Sequence, residues 1–264
     1  MMTRVRFLGL VLVCALSGSA TVAAAQAQAP PAQPTPQPPP PPPPPLAEGT
    51  AELAFVGTSG NASTSTFSVG GELIARPDSW LVRNRAAFVR NESEDALTAE
   101  SWIYGLRVEH RLTDRLSAFG DYAFFRDRFS GIAKRNGLTA GATWKAVDRP
   151  AHRLSFDAGA GYLNEDRLTG LDISSATYSG AAAYRWKLSE TSEINDETLV
   201  TGTFDDRDDW RVLHTLGVTA QLNAVLSLKF STAARYAKSP APGFRRTDTT
   251  TAIALVAKFT RPRR

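Results

Sequence analysis

From residue 50 onward, apolar and polar residues alternate along the chain with a period of two, interrupted at regular intervals by turn residues. In WIYGLRVEHRL, residues 102–112, the large apolar groups Trp102, Tyr104, Leu106, Val108 and Leu112 fall on one set of positions. Gly105, Arg107, Glu109 and Arg111 fall on the other. A helix would bring Arg107 and Arg111 round to the apolar stripe, so the period predicts a strand with one apolar face. The stretch ending at Leu188 repeats the pattern, with Ala176, Tyr178, Ala182, Tyr184, Trp186 and Leu188 against Thr177, Ser179, Arg185 and Lys187. Near the C-terminus, Ile253, Leu255, Ala257 and Phe259 stand against Thr250 and Lys258.

The same reading predicts strands near 50–58, 64–75, 80–90, 99–112, 115–126, 135–146, 153–165, 174–188, 192–204, 209–222, 225–237 and 249–259. Each is longer than the roughly five or six residues usual in soluble sheets, and long enough to cross a bilayer when tilted. Their connections alternate in length. ARPDS, TDR, VDRPAH, SET and NA are short, whereas NESEDALT, DRFSGIAK, DRLTGLD and KSPAPGFRRTD are longer, with TSGNAS and DDRDDW between. Outer-membrane barrels have short periplasmic turns, longer outer loops and an even strand count. The expected fold is therefore all-β, an antiparallel up-and-down transmembrane β-barrel of about twelve strands, with ten as the alternative count.

Prolines and tryptophans agree with this phase. Pro77, Pro150, Pro240 and Pro242 fall in connections and Pro262 in the tail, as a continuous hydrogen-bonded wall requires. Trp80, Trp144 and Trp186 fall at expected periplasmic strand ends, and Trp102 and Trp210 at outer ones; Tyr162, Tyr178, Tyr184 and Tyr236 add to two girdles. Three places fit less well. Asp196 joins Ile194 and Val200 on the lipid face, which predicts a bulge or register shift in the ninth strand. The fifth strand, LSAFGDYAFF, has aromatics on both faces, and His214 lies among Trp210, Val212, Leu216 and Val218.

The ends of the chain add compartment. Arg4 and Arg6, the apolar run Phe7 to Leu16 and the small residues Ala23 to Ala25 predict a secretory signal peptide over residues 1–25. The single cysteine, Cys14, lies within it, so the exported chain holds together without disulfides. Residues 26–47 carry most of the 17 prolines, including the unbroken run Pro38 to Pro45, and predict a stiff periplasmic spacer. Such a rod suits a cell-wall or periplasmic partner. Residues 48–264 form the expected outer-membrane domain of a Gram-negative bacterium. The net charge of +4 comes without a long basic block, and nucleic acid is not an expected partner of an exported chain.

The stretches TSGNASTSTFSVGGEL, RDRFSGI and PGFRRTDTTTAIALVAKF, within residues 48–259, resemble the salt-induced outer membrane protein or YdiY-like family, domain of unknown function 481. The resemblance implies an outer-membrane barrel and brings no catalytic residues; the family's name suggests a link to osmotic stress. The terminal segment ending at Phe259 also resembles the signal read by the outer-membrane assembly machinery, although five residues follow it.

Function then rests on the two faces of the wall. The inward candidates are Arg83, Arg85, Arg107, Glu109, Asp121, Lys145, Asp157, Arg185, Lys187, Lys229 and Arg235, joined by Glu52, Glu72 and Glu165. Eight-stranded barrels are filled by side chains and sixteen-stranded ones hold water, so twelve strands leave two outcomes open: a plug of paired charges or a narrow pore for small polar solutes. Lys134, Arg135, Arg245 and Arg246 are candidates for contact with lipopolysaccharide phosphates among the lipids of the outer membrane.

No catalytic set, cofactor or metal site is called for. DDRDDW lacks the glycine and ligand spacing of a dedicated calcium loop. His110 and His152 fall at the periplasmic end, leaving His214 as the histidine that could serve an enzyme acting on lipid or lipopolysaccharide, the alternative to a structural, stress-related or porin-like barrel. A soluble periplasmic β-domain that binds a partner is the third class.

Overall fold

The computed structural model describes residues 44–58, 64–93 and 96–262. The expected signal peptide and all but the last residues of the proline-rich spacer lie outside the described residues, as do the centre of NESEDALT and all of TSGNAS but Thr58. The described chain is built from twelve strands: β1 (Ala47–Thr58), β2 (Thr64–Ala75), β3 (Trp80–Ser93), β4 (Ala96–Arg111), β5 (Leu116–Asp127), β6 (Ile132–Asp148), β7 (His152–Arg167), β8 (Ile173–Lys187), β9 (Ser192–Thr203), β10 (Trp210–Gln221), β11 (Leu226–Ala237) and β12 (Thr247–Arg261). The expected strands recur within a few residues at each end, and the count is twelve rather than ten.

Each strand pairs antiparallel with its neighbours in sequence, and β1 pairs with β12 to close a barrel. Closure satisfies the backbone polar groups that an open edge would leave facing lipid. The β1–β12 seam runs from Ala47 opposite Arg261 to Leu53 opposite Leu255, while β1 and β2 pair along their full length, from Ala47 opposite Ala75 to Thr58 opposite Thr64. Register shifts occur at Asn91/Glu92 in the β3–β4 pairing, at Phe125/Asp127 between β5 and β6, and at both ends of the β6–β7 pairing. The shift expected in the ninth strand is absent. β9 keeps unbroken register with β8 and β10, so Asp196 stands on the outer face between Tyr184 and Leu216.

The alternation sorts side chains to the two sides of the wall. Outward stand Leu53, Val69, Leu73, Leu138, Phe230, Ile253 and Leu255, all exposed. Cross-strand aromatic pairs mark two levels. At the end bearing the longer loops, Phe88 lies 4.4 Å from Trp102 and Trp210 lies 5.1 Å from Tyr236. At the end bearing the short turns, Trp80 sits 4.4 Å from His110, and His152 lies 5.9 Å from Trp186, its Nδ1 2.8 Å from the Tyr184 hydroxyl. These pairs are cross-strand neighbours whose amphipathic rings suit a membrane–water boundary. All three histidines thus lie on the outer face, whereas the sequence offered only His214; the same alternation that turns Trp80 and Trp186 outward carries their partners with them.

The connection of residues 238–246 bends over the mouth at the loop end. Ala241 is buried there. The Arg167 side chain donates to the Ser239 carbonyl at 3.2 Å, the Thr169 hydroxyl to the Pro242 carbonyl at 2.7 Å and the Ser239 hydroxyl to the Asp208 carbonyl at 3.0 Å. Across the opening, the loop meets the 3-10 turn Arg128–Ser130, which the Asp127 carboxylate caps by accepting from the Phe129 and Ser130 amides. Gly131 closes that turn at φ 79°, and a side chain there would come within 2.6 Å of the Phe244 ring.

Candidate functional site

The lumen is braced by ion pairs at successive levels. At the loop end, Glu165 on β7 is buried, with 2% of its side chain exposed, and faces three guanidiniums. Arg135 from β6 and Arg167 from β7 each approach it at 2.6 Å, and Arg211 from β10 at 3.3 Å. Arg211 also reaches Asp209 at 3.1 Å. A lone buried carboxylate would be costly, and three cations around one anion leave excess positive charge that Asp209 partly offsets. Burial pushes the Asp209 carboxyl above its ordinary range, while Arg211 pulls the other way. Phe125 lies inward beside this group, with the Arg135 guanidinium 5.5 Å and the Arg235 guanidinium 5.4 Å from its ring centre.

Nearer the turns, Arg107 gathers the other sign. Its guanidinium lies 3.4 Å from Glu109, 3.6 Å from Asp121 and 3.0 Å from Asp157, donates to the Thr143 hydroxyl at 2.7 Å, and covers the Phe119 ring at 3.9 Å. Phe119 is buried against the wall because Gly141 opposite it carries no side chain; a Cβ there would stand 2.8 Å from the ring edge. Arg85 on β3 reaches Glu197 on β9 at 3.9 Å, and these strands stand six positions apart around the closed order. Lys229 bonds Glu52 at 2.7 Å, and Arg185 donates to Glu193.

Most inward candidates therefore meet in these groups: Arg85, Arg107, Glu109, Asp121, Asp157, Arg185 and Lys229 in ion pairs, and Arg235 over an aromatic ring. Arg83, Lys145 and Lys187 stand on the same face without an ion pair among the described residues; Arg83 lies directly opposite Arg107 in the β3–β4 register. Of the four lipopolysaccharide candidates, Lys134 is exposed and 3.1 Å from Asp166, and Arg245 and Arg246 are exposed in the long loop. Arg135 is a correction. It stands four residues into β6 rather than at the outer end of the strand, one position from Lys134, and its alternation turns the guanidinium inward onto Glu165. Arg167, Arg211, Asp209 and Phe125 were missed as partners, although Arg211 carries an available signal: it follows the outward Trp210 by one residue. DDRDDW is also more than a solvated loop, since Asp209 is buried and the Ser175 hydroxyl donates to Asp205 at 2.6 Å.

On the outer face, His214 Nδ1 lies 3.0 Å from the Thr198 hydroxyl and 3.9 Å from Asp196. A nucleophile–base–carboxylate relay engages the two ring nitrogens separately, one toward each partner. Here both neighbours crowd one nitrogen.

A closed antiparallel wall, apolar outside, ringed by aromatics at two levels and ionised within, defines a β-barrel of the outer-membrane type. Residues 51–259 match the family described as "Protein of unknown function, DUF481", and the chain belongs to that family. It is 25% identical over 194 residues to the uncharacterized protein YdiY of Escherichia coli (strain K12), covering 72% of each chain. Among solved structures, an outer membrane channel from Pseudomonas putida F1 is similar with a TM-score of 0.50 and 10% identity, over 82% of this chain and 96% of that one. The NanC porin is similar with a TM-score of 0.47 and 8% identity, over 82% of this chain and all of that one. These structural likenesses are likenesses of fold.

Proposed function

We propose that the chain is a non-enzymatic barrel of a Gram-negative outer membrane whose lumen rests closed, and that it passes small polar solutes only when its loop-end brace loosens. The observation that carries this reading is the buried Glu165 held by Arg135, Arg167 and Arg211 beneath the 238–246 loop. The brace ties β6, β7 and β10 together, and the loop above it rests on Arg167. A lumen lined by both signs suits a narrow path for polar solutes over one for apolar molecules.

On this reading the short-turn end and the N-terminal proline-rich spacer face the periplasm, where the spacer reaches a cell-wall or periplasmic partner. The C-terminal segment ending at Phe259 is what the assembly machinery reads. Lys134, Arg245 and Arg246 meet lipopolysaccharide phosphates, joined by Arg126, which stands opposite Trp102 on the outer face.

Ion conductance of the purified mature protein in a planar bilayer tests the reading, with a heat-shift gel confirming that the barrel has folded. The wild type should be silent or open rarely in small steps, and Glu165→Gln should open more often. Large, steady wild-type conductance would overturn the resting closure. A folded protein that stays soluble without detergent would overturn the membrane location.

A further inference from the structure

The outer wall is not uniform. From β12 round through β1 to β5 its middle carries bulky apolar groups, among them Leu255, Leu53, Val69 and Tyr104, with Ala86 and Gly120 between. Between β6 and β11 small outward residues recur at mid-strand: Ala140 faces Ala160, Ala158 faces Gly180, and Ala182, Thr198, His214 and Ala234 follow one another in register, with Val200, Val212 and Leu216 as larger neighbours. In this smoother sector stand the two outward ionisable groups of β9 and β10, Asp196 and His214. Their side chains are 39% and 42% exposed, and Thr198 lies beside them. Neither is carried to the rim: on β10, Trp210 and Val212 lie outward above His214, and Leu216, Val218 and Ala220 below it.

An ionisable group facing lipid is unfavourable, and within spanning segments such groups ordinarily face protein or a water-filled cavity. Small residues provide what protein contact in a membrane needs, a surface on which two backbones approach closely. The patch also bears an acid and a base side by side at one height, their charged atoms 3.9 Å apart. That makes it self-complementary under a two-fold axis parallel to the barrel. Asp196 of one copy then meets His214 of the other, and the reverse, as isologous contacts require.

We infer that the β8–β10 outer face is the interface of a two-fold dimer, and that a second copy of this chain covers Asp196 and His214. The inference requires only that the barrel lie in a membrane, and it is independent of whether the lumen conducts.

The test is the mass of the full mature protein in mild detergent by light scattering, with amine cross-linking in lipid vesicles beside it. Heat-shift gels report folding separately. The wild type should have the mass of two chains. The double variant Asp196→Leu/His214→Leu should remain heat-modifiable and fall to the mass of one, and Ala182→Trp should do the same by bulk alone. A wild type that is monomeric in both media overturns the inference. So does a double variant that stays dimeric, because the copies then meet elsewhere, or a cross-link at this face to a different protein. If the double variant does not fold, Ala182→Trp decides by the same two masses.

Discussion

Arg85 and Glu197 meet across the lumen at 3.9 Å from strands on opposite sides of the barrel. At that level the bore is therefore no wider than two side chains reaching toward each other. Both ends are about half exposed, so the contact lies in water and contributes little to stability. On the proposed function its effect is on passage. The variant Arg85→Ala/Glu197→Ala should change the unfolding free energy by no more than about 1 kcal/mol. In a background where the loop end is open, it should raise single-channel conductance several-fold. Unchanged conductance in that background would place the constriction elsewhere.

Glu165 behaves differently because it is buried among cations. Glu165→Gln keeps the shape and removes the charge shared by Arg135, Arg167 and Arg211, leaving only Arg211 with a second carboxylate, Asp209. Breaking a buried ionic group in this way costs about 3 kcal/mol or more. A urea titration followed by tryptophan fluorescence in lipid vesicles should show the midpoint falling by a corresponding amount. Substituting one arginine should cost less, because two remain.

Asp209 shares Arg211 with Glu165 but carries the opposite expectation. Its carboxyl sits above the ordinary range because of burial, so the folded state favours its neutral form. The stability from this group is present at low pH and is lost as pH rises through its raised folded value. At neutral pH Asp209→Asn should consequently be more stable than the wild type. The gap should close on acidification toward the ordinary aspartate value of about 3.9. Urea midpoints across that range check the sign.

Gly131 holds the loop by its lack of a side chain. Valine there would meet both a left-handed backbone, at about 1–2 kcal/mol, and the Phe244 ring. The expected outcome of Gly131→Val is a lifted 238–246 segment rather than a lost barrel. Trypsin should cut after Arg245 or Arg246 faster than in the wild type, while the heat-shift of the barrel persists.

The wall was legible because its signal is local. Alternation around Trp102, turns at Pro77 and Pro150, and tryptophans at strand ends each state a constraint within a few residues. The lumen was legible by parity, which is why Arg107, Asp121 and Asp157 could be assigned to one face before any partner was visible. Pairing was not, since Arg85 finds Glu197 and Arg235 finds Phe125 across the bore, a relationship set by curvature. The error at Arg135 was one of boundary: the expected strand begins at Arg135 itself, whereas β6 begins at Ile132, so Arg135 lies inside the ladder and its parity turns it inward. At Asp196 the rule that lipid faces are apolar suggested a slip in register, but the hydrogen-bonded ladder held and the polar residue stayed outside.

The β1–β12 seam makes residues more than two hundred positions apart nearest neighbours, as with Ala47 and Arg261. Every other pairing is a hairpin that forms locally and fast, whereas this one must wait for almost the whole chain and bears the largest loop-closure entropy. A chain truncated before β12 would therefore be a curled sheet with two raw edges, able to pair with any strand nearby. Arrival of β12 is thus a kinetic checkpoint written into the topology, and that strand is the one that turns an aggregation-prone sheet into a closed body.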